Sequence, residues 1–250
     1  MNDALARVLP SAADSSRPWL TWYSPDERIE LTGHVLSMWH AKCAGFLTAE
    51  AGPGARVHLG MTPHWRTVTW CAGAWLAGAT PVLLDSGDSF VENLLDEPPS
   101  ISVAFRIHWL FPSADVQVLV TMGSLATHWP TPLPPLTLDG IADVIPFPAH
   151  FPPAPTDGSE PALIVPQRDG LRTTSRDALV APAQSDAVEK ALGTGARALL
   201  IREETVERAM RGVMAAWRAG LTAVLISPDA DAALVSAAAR QEGIQESIHE

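Results

Sequence analysis

Apolar residues in this chain alternate between short continuous runs and stretches where they recur every three or four positions. Between Trp19 and Asp85 that pattern predicts a strand, a helix, a second strand, a helix and a third strand. Trp19-Leu20-Thr21-Trp22-Tyr23 and Ile29-Glu30-Leu31 flank the turn Ser24-Pro25-Asp26-Glu27, which makes a hairpin. Thr32 is placed to cap a helix whose stripe is Val35, Trp39, Cys43 and Phe46. Gly52-Pro53-Gly54 stops it and turns the chain into the strand Arg56 to Gly60. Thr62 followed by Pro63 reads as a cap and first helical position, and that helix runs through Val68, Cys71 and Trp75 to Gly78. Val82-Leu83-Leu84 then reads as a parallel strand buried on both faces.

Further on, Asp85 to Ser89 forms a turn, Phe90 to Glu97 a short helix, and Ile101 to Phe105 and Val116 to Thr121 strands. From Trp129 to Pro161 prolines are too dense for regular helix or central strand, so the segment is expected to cross between lobes, with the boundary near Pro155. Ala162 to Val165 restarts the pattern as a strand. Ser185 to Leu192 is a helix, Ala198 to Ile201 a strand, and Val206, Met210, Val213, Met214 and Trp217 mark the clearest helix. Thr222 to Ile226 is a strand, and Pro228 opens a last helix that ends at Gly243. The expected architecture is α/β with two sheet-and-helix lobes, residues 1–155 and 156–250.

One stretch echoes another. Ala216 to Ile226 repeats Ala74 to Leu84 at seven of eleven positions, as two similar helix-to-strand units would, or as any glycine-capped helix before a buried strand would in an Ala-rich chain.

Composition narrows the function. A net charge of −11 without a basic run repels nucleic acid, and no apolar run is long enough for a membrane span. No secretory signal is visible at the N-terminus, and Cys43 and Cys71 fall on apolar helix faces, as reduced thiols of a cytoplasmic protein would. Eight histidines include the pairs His34/His40 and His58/His64, each six apart, but none has a metal-ligand spacing, so no metal site is expected. Asp85 to Ser89 lacks the flanks of a nucleophile and has a ligand role only through its place at a carboxyl end of the sheet. Of nine tryptophans, Trp39, Trp75 and Trp217 fit core stripes, whereas Trp109 and Trp129, beside prolines, are candidates for an exposed protein contact.

Leu20-Thr21-Trp22-Tyr23, Glu30-Leu31, Gly54-Ala55-Arg56-Val57 and Ala77-Gly78-Ala79 to Asp85 stand in the order, and at the distances, of the opening of an adenylate-forming enzyme. The chain resembles that superfamily of acyl-CoA synthetases over most of its length, and within it a small actinobacterial family of AMP-binding-like proteins. The resemblance implies a loop rich in Ser, Thr and Gly and ending in lysine just after Ala162 to Val165, where backbone N–H groups and one cation hold ATP phosphates.

What stands there is Pro166-Gln167-Arg168-Asp169-Gly170-Leu171-Arg172-Thr173-Thr174-Ser175, with one glycine, an aspartate and no lysine. The only lysines, Lys42 and Lys190, lie in unrelated contexts, and the adenine- and ribose-binding motifs and C-terminal catalytic lysine of the family are expected to be missing. Arg172, Thr173, Thr174 and Ser175 remain the candidate contacts for a phosphate of AMP or ATP; the favoured reading of them is a polar turn that caps a helix. No catalytic residue is assigned. The expected function is a non-catalytic scaffold or binder of a small acyl or nucleotide ligand, as a homo-oligomer or with another protein. The alternative is one piece of a split acyl-adenylating enzyme completed by a partner chain.

Overall fold

A computed structural model describes residues 3–83, 95, 97–167, 170–181 and 186–244. The chain opens with α1 (Ala4–Val8), capped by Asp3, and continues into the hairpin of β1 (Pro18–Tyr23) and β2 (Arg28–Thr32). Thr32 caps α2 (Gly33–Ala51), its hydroxyl accepting from the Val35 N–H at 3.3 Å. Then come β3 (Arg56–Gly60), α3 (Trp65–Leu76), β4 (Thr80–Val82), β5 (Ile101–Ala104), β6 (Val116–Leu119) and β7 (Thr137–Asp139). A second hairpin, β8 (Pro161–Gln167) and β9 (Gly170–Ser175), leads into α4 (Arg176–Val180). The chain goes on through α5 (Asp186–Gly193), β10 (Ala198–Arg202), α6 (Val206–Arg218), β11 (Thr222–Ile226) and α7 (Ala232–Gln241). The expected turn at Asp85 to Ser89 and most of the helix expected over Phe90 to Glu97 fall outside the described residues.

Two helices start later than their prolines suggest. His64, not Thr62, caps α3: its Nδ1 accepts from the Arg66 N–H at 3.1 Å, while the Thr62 carbonyl is taken by the Thr67 hydroxyl at 2.7 Å. Asp231 caps α7, because Pro228 to Ala230 close a turn in which the Ala230 N–H reaches the Ser227 carbonyl. Trp109 and Trp129 are half-buried rather than exposed. Trp109 packs on the core beneath the Arg106 guanidinium, and the Trp129 indole donates to Thr131. Arg172 to Ser175 are strand rather than turn, with Ser175 capping α4.

The sheets interleave the two halves of the chain. One has the order β10-β11-β1-β2, so the N-terminal hairpin joins the last strands, Leu20 to Tyr23 beside Ala223 to Ile226. The other, seven strands in the order β7-β6-β5-β3-β4-β8-β9, takes β8 and β9 from beyond Pro155. All neighbours run parallel except within the hairpins β1–β2 and β8–β9. The proline-rich segment runs from the β7 edge past α2 and α3 to β8 on the far side: Lys42 donates to the carbonyls of Ile145 and Phe147, and the Ala154 N–H to Leu76. Both halves of the echo are realised alike. Gly78 and Gly220 sit at φ +72° and +73°, and the Ala79 and Leu221 N–H groups return to the carbonyls of Ala74 and Ala216. The indoles of Trp75 and Trp217 each donate to a carbonyl beyond the following strand, of Ala162 at 2.8 Å and Trp19 at 2.9 Å.

Candidate functional site

Parallel α/β sheets bind ligands outside the carboxyl ends of their strands, at the point where successive connections leave on opposite faces. In the seven-stranded sheet that point lies between β3, which is followed by α3 on one face, and β5, whose continuation packs Phe111 on the other. The residues delivered there are His64, Trp65 and Arg66 after β3, Phe105 after β5, and Gly123 and Ser124 after β6.

They fill the crevice themselves. The His64 ring lies 5.2 Å from Phe105 and 4.6 Å from Trp22, which enters from the four-stranded sheet. Arg66, 2% exposed, donates to the Gly123 carbonyl at 2.7 Å and the Ser124 carbonyl at 3.3 Å, with its guanidinium 4.3 Å from the Trp65 ring. Trp65 donates its indole N–H to the Ser124 hydroxyl at 2.9 Å, and that hydroxyl donates to Glu27, from the β1–β2 turn, at 2.5 Å. Burial, helped by the charge of Arg66, drives the His64 imidazole down to about 3, so it stays neutral and serves as a helix cap. Burial also lowers Arg66, to about 10. This cluster pins the two sheets together.

The second place is the end of the β8–β9 hairpin. Gln167 and Gly170 are register partners, so two residues close the connection. Arg172 and Thr174 point toward α6. The Arg172 fork takes both carboxylate oxygens of Glu207, one at 2.7 Å; Arg211 reaches the same carboxylate at 3.1 Å and the Thr174 hydroxyl at 2.9 Å. Burial alone would raise Glu207, but the hydrogen bonds and charges of the two arginines outweigh it and hold its carboxyl below the usual range. Thr173 is exposed, and the Ser175 hydroxyl accepts from the Ala178 N–H at 3.2 Å. The four residues named from the sequence therefore do not converge. Two join α6, one faces outward and one caps α4.

Among the described residues no group of His, Cys, Asp and Glu could hold a metal ion, and no helix is long and apolar enough to cross a membrane. Cys43 and Cys71 are buried free thiols, Cys43 pushed up to about 12 by burial. Lys42 is spent on the proline-rich segment and Lys190 lies in the last turn of α5.

Known structures share this fold. An acyl-CoA synthetase of Brucella canis superposes with a TM-score of 0.79 at 17% identity, over 98% of this chain and 46% of that one. The chain therefore has the fold of part of an acyl-CoA synthetase. A fatty acyl-CoA synthetase of Mycobacterium tuberculosis gives a TM-score of 0.63 at 15% identity, over 97% of this chain and 49% of its own. The acetoacetyl-CoA synthetase of Streptomyces lividans gives 0.68 at 16%, over 89% and 38%. The chain thus spans half or less of each of these structures. In sequence, 78 residues are 40% identical to a TIGR03089 family protein of Mycobacterium tuberculosis, 30% of this chain and 32% of that protein. No family model matches.

The crevice cluster escaped the sequence reading because its members come from four separate segments. Its one local signal was Arg66, the single charged residue of its helix. Glu207 and Arg211 were legible only as an i, i+4 pair.

Proposed function

We propose that this chain is a non-catalytic member of the acyl-CoA synthetase-like fold that works as a binding protein, not as an adenylating enzyme. The observation that carries the reading is the Gln167–Gly170 register. Backbone N–H groups can surround a phosphate only from a loop long enough to curl around it, and two residues do not suffice. Two further observations agree with it. Arg172, in the strand that follows the connection, is forked onto Glu207, and the carboxyl-end crevice is packed with Trp22, His64, Arg66 and Phe105.

The test is ATP–pyrophosphate exchange with a panel of acetate, medium-chain and aromatic carboxylic acids. No exchange is expected; measurable exchange with any of them overturns the proposal. A thermal-shift titration with ATP, AMP, CoA and a non-hydrolysable acyl-adenylate then separates two kinds of binder. A concentration-dependent rise assigns a small acyl or nucleotide ligand, whereas no shift leaves a protein partner, including a second copy of this chain.

The split-enzyme reading rests on one observation, that the chain spans 46% of the Brucella synthetase. It predicts exchange only when a second polypeptide supplies the remainder.

A further inference from the structure

We propose that the outer edge of β9 is a docking strand for an extended, acidic segment of a partner protein, which would add itself to the seven-stranded sheet. This deepens the partner-binding reading above and rests on it. β9 is six residues long and terminates the sheet. Its outward backbone groups follow from the register. The Ile164 carbonyl accepts from the Leu83 N–H at 2.9 Å, so it points away from β9; its partner Thr173 must then turn its own N–H and C=O outward, and so must Leu171, two residues earlier. Pro166, opposite Leu171, fits the same phase, because its missing N–H would not have faced β9. Among the described residues nothing pairs with these outward groups, and Leu171 and Thr173 are exposed.

The other sheet edges are blunted, as exposed edges usually are. β7 is three residues long, follows Pro134 and Pro135, and has its Asp139 N–H bonded to the Asp143 carboxylate at 2.8 Å. β2 carries the charged pair Arg28 and Glu30, and β10 lies beside α5. At six residues β9 is the longest of the edge strands among the described residues.

Charge decides the kind of partner. On the α6 side of β9, Arg172 and Arg211 are 45% and 40% exposed and share the single carboxylate of Glu207, which leaves one positive charge in excess in a chain of net −11. An added strand alternates its side chains between the faces. Its acidic residues would meet the two arginines, and its apolar or β-branched residues would lie on the face of Leu171 and Thr173.

The probes are two labelled eight-residue peptides with blocked ends, one alternating Val with Glu and one alternating Val with Lys, followed by fluorescence anisotropy on the full chain. The Glu peptide should bind at least tenfold more tightly than the Lys peptide. Thr173→Pro, which removes one outward N–H and no bond to β8, should weaken binding at least tenfold. Leu171→Asp, which leaves the backbone intact, should do the same if the proline variant fails to fold. Absent binding of the Glu peptide, binding unchanged in both variants, or no preference between the peptides overturns the proposal. So does sedimentation showing a dimer that Thr173→Pro dissociates, since a second copy then occupies the edge. Pyrophosphate exchange with peptide binding intact sinks the non-catalytic reading alone, and lost peptide binding without exchange sinks this one alone.

Discussion

The helix between β3 and β4 and the helix between β10 and β11 follow one local plan in opposite surroundings. Each ends in an Ala-Trp pair, a glycine at positive φ and a buried strand, and each indole reaches a carbonyl one strand further on. Yet every residue of α3 from Trp65 to Trp75 is buried, whereas α6 exposes Arg208 and Arg218 and leaves Arg211 and Ala215 half-buried. The shared residues answer demands made within the unit. The residues that differ answer the neighbours, as at the equivalent positions Gly73 and Ala215. A Cβ on Gly73 would stand 2.5 Å from that of Cys43 in α2, while Ala215 lines a groove of about 160 Å³ against α4.

The largest expected effect sets the two tryptophans apart. Trp75→Ala should cost about 5 kcal/mol and Trp217→Ala about 3 kcal/mol, the upper and lower ends for a buried tryptophan, since Trp217 lies nearer the surface beside half-buried Trp19. Urea denaturation of both variants checks this; equal costs would mean that surroundings do not matter to the shared plan.

Acid should separate the helices next. Burial drives His40 and His64 down to about 3, so below the ordinary value of about 6.5 the unfolded chain takes up protons that the native state refuses. Stability is fully present above that pH and falls as the pH drops toward 3, by about 1.4 kcal/mol per unit for each histidine. His64→Asn, an alternative cap for α3, should halve the loss between pH 7 and pH 5. Thr205→Asn, at the cap of α6, should leave the slope unchanged. Urea midpoints at the two pH values decide it.

Gly73→Ala should cost about 2 kcal/mol by overpacking α2 against α3. Gly212→Ala meets only the Ile201 side chain, at 3.0 Å, and gains helix propensity, so it should fall within about 0.5 kcal/mol of neutral. The two helices should differ least at the glycine cap. Gly220→Ala should cost about 1 kcal/mol for its positive φ, and Gly78→Ala slightly more, because the new Cβ would also lie 3.1 Å from that of Ala154. Thermal melts of the four variants give the order.

Much of the fold was legible before any coordinates. The hairpin around Ser24 to Glu27, the Thr32 cap and the strands Arg56–Gly60 and Thr222–Ile226 follow from turn chemistry and periodicity, which act within a few residues. Two helix starts were misplaced because proline marks where a helix can begin, whereas the cap is whichever side chain reaches the free N–H groups, here His64 and Asp231. The candidate phosphate contacts were legible as a polar stretch. That Arg172 is taken by Glu207, 35 residues away, was not.

By itself, then, the order of residues determined the elements, their glycine and side-chain caps, and the resemblance to adenylate-forming enzymes, since all of these are written in spacings of a few positions. The tertiary structure alone decided that β1 and β2 join the last strands, that a tryptophan, histidine and arginine cluster closes the crevice, and that β9 ends the seven-stranded sheet. Those outcomes depend on contacts between segments tens to hundreds of residues apart, for which no local spacing carries a signal.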